Sequence, residues 1–492
     1  MISGATVASA NGKIRLATGS GALILEDASG ASRRDDVYDA SPTRGVIRTD
    51  NADIELAVND LIIHDNDPDE TAQIRAGGGK DIVFLPTVGR SVGLGGAAGG
   101  FQLDDSEIAA LETSGRIRFG APNKRVGEVR IDTADFSAVG GLELFSNASI
   151  GDTGAANPSA PNQLQAGTLR LDAGTGVGDG SNPLNTAVTS IDAQTTGGGI
   201  FIDEIDAVQL GNTAPVTTGS GGGAIEITAG GTMTLAQAVT TTGGGLISLT
   251  TTAGNLQVDH AVTAGGSVVL TGDTGITHTA AGDVTSGGTI TATTTTGDIA
   301  MADGTVYSAG GDVILTAAND VKLGRVETGT DNTIRVTATG GAISDNTAGE
   351  GAGNENLVCC NIILTAANGI GGPGEAADID VTAGNIETAT GSGGVYLAET
   401  DTLQCRESTV PPPPVLPPPG PGTPGPDTTV PDPTGPDVTG PDVLVSEPPR
   451  SEGIPDKATE PEKIPNDTIV LQVLLYSRNQ RFQARVDTRY FR

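Results

Sequence analysis

Tryptophan is absent from the 492 residues, and eight phenylalanines and five tyrosines are all the aromatic side chains there are. A core must then be assembled from many small aliphatic groups, which favours a thin, extended core over a single globular centre. Positive charge is also scarce. Against 60 acidic residues stand 27 Lys and Arg, a formal charge of −33, which repels nucleic acid and acidic lipid surfaces and argues against nucleic acid as a partner. The three cysteines, Cys359, Cys360 and Cys405, are too few for a disulfide framework and lack the spacing of a zinc site. Most of the fold must stand without them. No apolar run reaches about 18 residues, and no basic segment followed by an apolar one opens the chain. Neither a membrane span nor an export signal of its own is expected.

Glycine, threonine and alternation are plentiful. Turn-marking glycines at Gly223, Gly245, Gly266, Gly288 and Gly311 lie 22, 21, 22 and 23 residues apart by subtraction, a period that signals stacked coils. After each, the second and fourth residues are apolar: Ile225 and Ile227, Ile247 and Leu249, Val268 and Leu270, Ile290 and Ala292, Val313 and Leu315. That is strand alternation. A second pair follows at Met233 and Leu235, Leu256 and Val258, Ile276 and His278, Ile299 and Met301, Val321 and Leu323, and a third apolar point at Val239, Val262, Val284, Val306 and Val326. Three short strands per coil describe a parallel β-helix of about 22 residues per coil, in which like residues stack at about 4.8 Å. Threonine suits the outer face because it is β-branched and polar, and glycine suits the corners.

The remaining chain divides by composition. Residues 1–165 read as irregular coils, with a short helical insert in "DDSEIAALETSG" capped by Asp105 or Ser106 and ended by Gly115. Residues 166–405 read as regular coils. From 406 to 465 the chain becomes a disordered Pro-rich linker of polyproline character, able to reach about 100 Å or more. Residues 466–492 read as a β-hairpin or anchoring segment, with "IVLQVLLY" needing an apolar partner and Arg478, Arg481, Arg485, Arg489 and Arg492 making it basic.

Several segments also resemble a known family. "GVGDGSNPLNTAVTSIDAQTTGGGIFIDEIDAVQL", "GGFQLDDSEIAALETSGRIRFG", "LTAANGIGG" and "LRLDAGTGVGDG" resemble recurring units of filamentous-haemagglutinin-like exoproteins of Gram-negative bacteria, over most of residues 1 to 400. The resemblance implies a right-handed parallel β-helix, two-partner secretion, an extracellular or cell-surface location, and a role in adhesion, biofilm or cell contact. The family's N-terminal secretion domain has no counterpart here, which suits a C-terminal fragment.

Asp65, Asp67 and Asp69 alternate as in a calcium loop, but Glu70 and Ala76 stand where the loop needs glycine and glutamate. "AGGGKDIVF", from Ala76 to Phe84, matches one calcium-binding nonapeptide without the tandem copies that motif needs, and reads as a glycine-rich turn. Gly79-Lys80 is followed by Asp81, which excludes a phosphate loop. His64, His260 and His278 occupy different places in their units, and His278 falls in an inward column as a satisfied core histidine. One of Cys359 and Cys360 can bridge to Cys405 in an oxidising exterior, for about 3 to 4 kcal/mol. No catalytic, cofactor or metal residue is assigned.

These readings converge on a non-catalytic adhesive repeat protein, meeting a host or neighbouring-cell surface receptor or glycan and, through its tail, an outer-membrane secretion or anchoring partner. Two alternatives stay open on sequence alone: a polysaccharide-active β-helix enzyme, and a non-functional fragment of a larger exoprotein gene.

Overall fold

The apolar points that recur along the sequence become columns in space. In the computed structural model, Ile200, Ile225, Ile247, Val268, Ile290, Val313, Ile334, Ile362 and Ile386 are in-register partners on successive parallel strands. All are buried, at roughly 1.5–3 kcal/mol of apolar transfer for each side chain. The alternating residues between them face outward, as the period of two requires. The structure describes residues 2–3, 6–18, 21–26, 46–64, 73–153, 164–349, 353–399 and 469–473. All belong to one compact unit, formed from residues 1–405 and 467–492.

The architecture is an all-β parallel solenoid of about 14 turns with about 23 residues per coil, one residue longer than the sequence period suggests. Its coils contribute to a continuous sheet of 37 strands. The second column runs Val208, Met233, Leu256, Ile276, Ile299, Val321, Ile343. The third runs Val216, Val239, Val262, Val284, Tyr307, Val326, Leu357. Here one expectation is corrected: Tyr307, not Val306, takes the inward place and is fully buried. Val262 follows Leu256 by six residues, whereas Tyr307 follows Ile299 by eight. The same eight-residue offset separates Ile276 from Val284 in the coil before, and in the coil of Tyr307 it includes a turn at Asp303-Gly304, where Gly304 has φ of 88°.

Threonine proves to do two jobs. Outward threonines occur as expected, but Thr195, Thr218, Thr241, Thr251 and Thr294 are buried at the coil corners. Each donates its hydroxyl to a glycine carbonyl across the turn, at 2.5, 3.0, 2.8, 2.9 and 2.6 Å. The carbonyls of Gly245, Gly254 and Gly297 also accept a backbone N–H from the next coil, so the bonds chiefly satisfy the buried hydroxyl donors themselves. Glycine is required there by crowding as well: a Cβ on Gly265 would lie 1.5 Å from the carbonyl oxygen of Gly243, one coil away.

The few phenylalanines gather in the early coils. Phe84 stacks on Phe119 at 5.0 Å, and Phe119 meets Phe101 and Phe136 edge-on at 6.0 and 6.4 Å. A single described helix, Asp105–Ala109, lies on this end. Its cap is Asp104 rather than Asp105 or Ser106, because the Asp104 carboxylate accepts from the N–H of Glu107 while Glu107 reaches back to the N–H of Asp104. The helix stops at Ala110, and the chain enters strand Leu111–Thr113 before reaching Gly115.

Strand Ile469–Val473 of the tail pairs antiparallel with Ile379–Thr390, bringing Val473 opposite Ile386. This apolar segment thus adds to the last long strand of the coils. The linker, the second strand of the expected hairpin and the five tail arginines lie outside the described residues.

Candidate functional site

Parallel stacking places side chains two residues apart on a strand into two adjacent outward columns, so chemistry on this fold is read across coils. One such crossing occurs at four consecutive strands, Arg116–Phe119, Gly141–Phe145, Leu164–Ala173 and Leu184–Thr195. Arg118, Glu143, Arg170 and Asp192 are register partners in one column. The neighbouring column begins with Arg116 beside Gly141 and continues with Thr168 beside Ser190. The Thr168 hydroxyl fills the space over Gly141, where a Cβ would fall 2.2 Å from Oγ1 of Thr168. A pit of about 10 Å³ lies at this crossing, lined among others by Arg116, Glu143, Thr168, Arg170, Ser190 and Asn212, room for one water-sized group.

The charges in the pit are unequally committed. Glu143 is held by Arg116 at 3.0 Å and by Arg118 at 2.8 Å, and Arg118 also meets Asp81 at 3.0 Å. Asp192 accepts from the backbone N–H groups of Asn212 and Thr213 and from the Thr213 hydroxyl. Arg170 stands between these two carboxylates in its column, yet it makes no ion pair or hydrogen bond among the described residues. Its guanidinium lies over the Phe145 ring instead, 5.5 Å from the centroid, a cation–π contact. Ser190, on the floor of the pit, is 6% exposed.

Further along the solenoid the outer surface changes character. Thr228, Thr250, Thr271, Thr293, Thr316, Thr337 and Thr365 form one uninterrupted outward row of register partners. Beside its middle, the adjacent row carries Ser248, Val269, Thr291 and Ile314, none of them charged. The result is a flat strip of methyl and hydroxyl groups over four coils.

No family model, curated protein or solved structure matches this chain.

The residues singled out in sequence fall in distinct places. His278 is buried in its inward column, with Nδ1 2.9 Å from the carbonyl of Gly282 and Nε2 2.8 Å from the hydroxyl of Tyr307. A carbonyl can only accept, so Nδ1 carries the proton and Tyr307 donates to Nε2. Burial pushes the imidazole down to about 4 and the Tyr307 phenol upward. It is a neutral core histidine. His260 is exposed, some distance along the coil from this pair. The Ala76–Phe84 segment runs from the end of strand Gln73–Ala76 through a turn, with Gly78 and Gly79 at φ of 63° and 71°, into strand Ile82–Phe84. Its Asp81 carboxylate is taken by the N–H of Arg116 at 2.8 Å and by Arg118. Among the described residues no three His, Cys, Asp or Glu side chains gather as metal ligands. Asp65, Asp67 and Asp69 lie outside the described residues.

Of the adjacent cysteines, Cys360 is disulfide-bonded and Cys359 is a free, buried thiol that donates to the carbonyl of Asn332 at 3.0 Å. Cys405 lies outside the described residues. Two buried carboxyls went unnoticed in sequence. Glu204 accepts from the Thr186 hydroxyl at 2.7 Å and from the N–H of Val188, and burial pushes it up to about 7. Glu107 is pushed to about 7 by burial, with the nearby charges of Asp104 and Asp60 adding to the rise.

Proposed function

We propose that this solenoid is a secreted or surface-exposed repeat protein that mediates adhesive contact with a cell-surface receptor or glycan and catalyses no reaction. The observation that carries the reading is the threonine row from Thr228 to Thr365 with the uncharged Ser248, Val269, Thr291 and Ile314 beside its middle. A flat, extended array with many equivalent weak donors and acceptors suits multivalent contact with another surface, where avidity replaces a single deep pocket. The disulfide at Cys360 supports an oxidising location. The acidic excess keeps such an array from binding nucleic acid. An outer-membrane secretion or anchoring partner, and a Gram-negative source, belong to the same proposal.

The test is attachment. Full-length protein is coated on beads and challenged under flow with a panel of bacterial and epithelial cells, beside a variant carrying Asp at Thr250 and Thr293, which are two coils apart so that the new charges do not face one another. The adhesive reading expects capture by the wild type and loss of capture by the variant at an unchanged melting temperature. Equal capture by the variant, or none by the wild type above bare beads, contradicts it.

The enzymatic alternative draws on the arginines and carboxylates stacked on outward strands around Gly141, since groups of this kind serve acid–base chemistry on acidic polysaccharides. A glycan turnover screen with and without calcium separates the two readings. The adhesive one expects no product in either condition.

A further inference from the structure

We infer that the outer side of the last long strand, Ile379–Thr390, is an edge through which two copies of this chain pair end to end about a two-fold axis, and that the tail strand Ile469–Val473 is the cover that holds them apart. The edge lies one coil past Thr365, at the end of the threonine row, and does not depend on the adhesive reading.

The strand is an edge by construction. One side pairs in parallel with Leu357–Ala366 over most of its length. On the other side the next coil strand, Leu397–Glu399, reaches only Ile379 to Val381. Ile386 to Thr390 would be left presenting backbone N–H and C=O groups, a ready template for another strand. Edges are commonly blunted by proline, by lysine or by shortness. None of these applies here: the strand has 12 residues, holds no Pro and no Lys, and its charges are Asp380 and Glu387 alone. Cover comes instead from the tail, whose residues Ile469 to Val473 pair with Thr390 to Ile386.

The direction of this cover decides what else fits. The coil strand Leu357–Ala366 pairs in parallel, whereas the tail pairs antiparallel, so the edge accepts an antiparallel strand as it stands, in the manner of strand addition. A two-fold axis that keeps the inward faces of both solenoids aligned reverses the strand direction, and two copies of this edge therefore meet antiparallel as well. Centred on Thr388, the pair sets Ile386 opposite Thr390 and Glu387 opposite Ala389. The inward and outward alternation is then preserved, and the two glutamates do not face one another. The cover itself rests on five residue pairs, and so short a strand has little stability of its own. The Pro-rich sequence of residues 406–465 suits a tether that keeps it close and lets it leave.

The test uses the full-length chain and light scattering after size exclusion, over a concentration series. The wild type is expected to be a monomer of 49.0 kDa. The variant carries both Val470→Pro and Leu471→Pro. Neighbours on a strand point their N–H groups to opposite sides, so one of the two donors removed faces Ile379–Thr390. This variant is expected to keep the wild-type melting temperature and to have twice the wild-type mass. A synthetic peptide of residues 467–475 should return it to monomer. Adding Ala389→Glu should do the same, because each new carboxylate then faces Glu387 of the second copy. A monomeric proline variant, a wild type that dimerises equally, or a dimer indifferent to the peptide or to Ala389→Glu would each overturn the inference. So would a proline variant that no longer folds, since a cover added to a finished coil is not needed to fold it.

Discussion

The hydroxyl of Tyr307 lies 2.8 Å from Nε2 of His278, one coil away and fully enclosed by the solenoid core. The rings meet nearly edge-on at 5.2 Å. Two polar tips that would each be costly in an apolar interior satisfy one another, and the Gly282 carbonyl completes the histidine. Tyr307→Phe is therefore expected to destabilise the fold by about 1–3 kcal/mol through the orphaned Nε2. Adding His278→Leu to it should recover much of that loss, because both partners are then apolar. Chemical denaturation of the two single variants and the double variant measures the coupling, and strict additivity would contradict the bond.

The same histidine sets an acid limit. Its folded value of about 4 lies below its ordinary 6.5, so the unfolded chain binds the proton more readily. Stability at this site is fully present above about 6.5 and is lost as pH falls toward 4, by about 3 kcal/mol. The slope is expected to vanish in His278→Leu, read as the difference between its melting profile and that of the wild type.

Glu204 has the opposite sign. Burial raises it from 4.5 to about 7, so the folded state holds the proton and stability falls as pH climbs from about 4.5 to 7, by about 3 kcal/mol. Glu204→Gln keeps an acceptor for Thr186 and cannot ionise. Relative to wild type it should gain stability steadily across that window and level off above it. A difference profile that is flat with pH would contradict the buried, protonated assignment.

Inward and outward positions are separable by charge. Ile290 is fully buried, and Thr291, its half-buried neighbour, faces outward. Ile290→Asp is expected to cost roughly 3–5 kcal/mol by burying an unpaired carboxylate. Thr291→Asp should stay within about 0.5 kcal/mol. Similar unfolding midpoints would contradict the register.

The cysteines differ in chemistry although adjacent. Non-reducing peptide mapping should recover Cys360 in a disulfide, while Cys359 should be alkylated only after denaturation, since burial raises its thiol and hides it. Rapid alkylation of native Cys359 would contradict this.

What could be read from sequence followed from repetition. The column from Ile225 to Val313 was visible because equal spacing and a period of two leave one register that buries every member. Val306 matches the valines of the neighbouring coils in residue type, but Tyr307 lies eight residues past Ile299, the offset that also separates Ile276 from Val284, and so takes the inward place. The buried corner threonines were hidden because an outward threonine and one bonded to a glycine carbonyl have the same local alternation. Arg170 had no signal at all: its pit is lined by Glu143, Ser190 and Asn212, which come from different coils with unequal spacings. Only stacking brings them together.

The central claim is that each coil advances the chain by one strand spacing, so that residues in a row are separated in proportion to the coils between them. Spin labels on Thr228 and Thr316 lie four coils apart along the row, and labels on Thr228 and Thr365 six. Pulsed dipolar spectroscopy should give backbone separations of about 19 and 29 Å, a rise of about 5 Å per coil. Separations that do not increase with the number of coils would contradict the solenoid and every site built upon it.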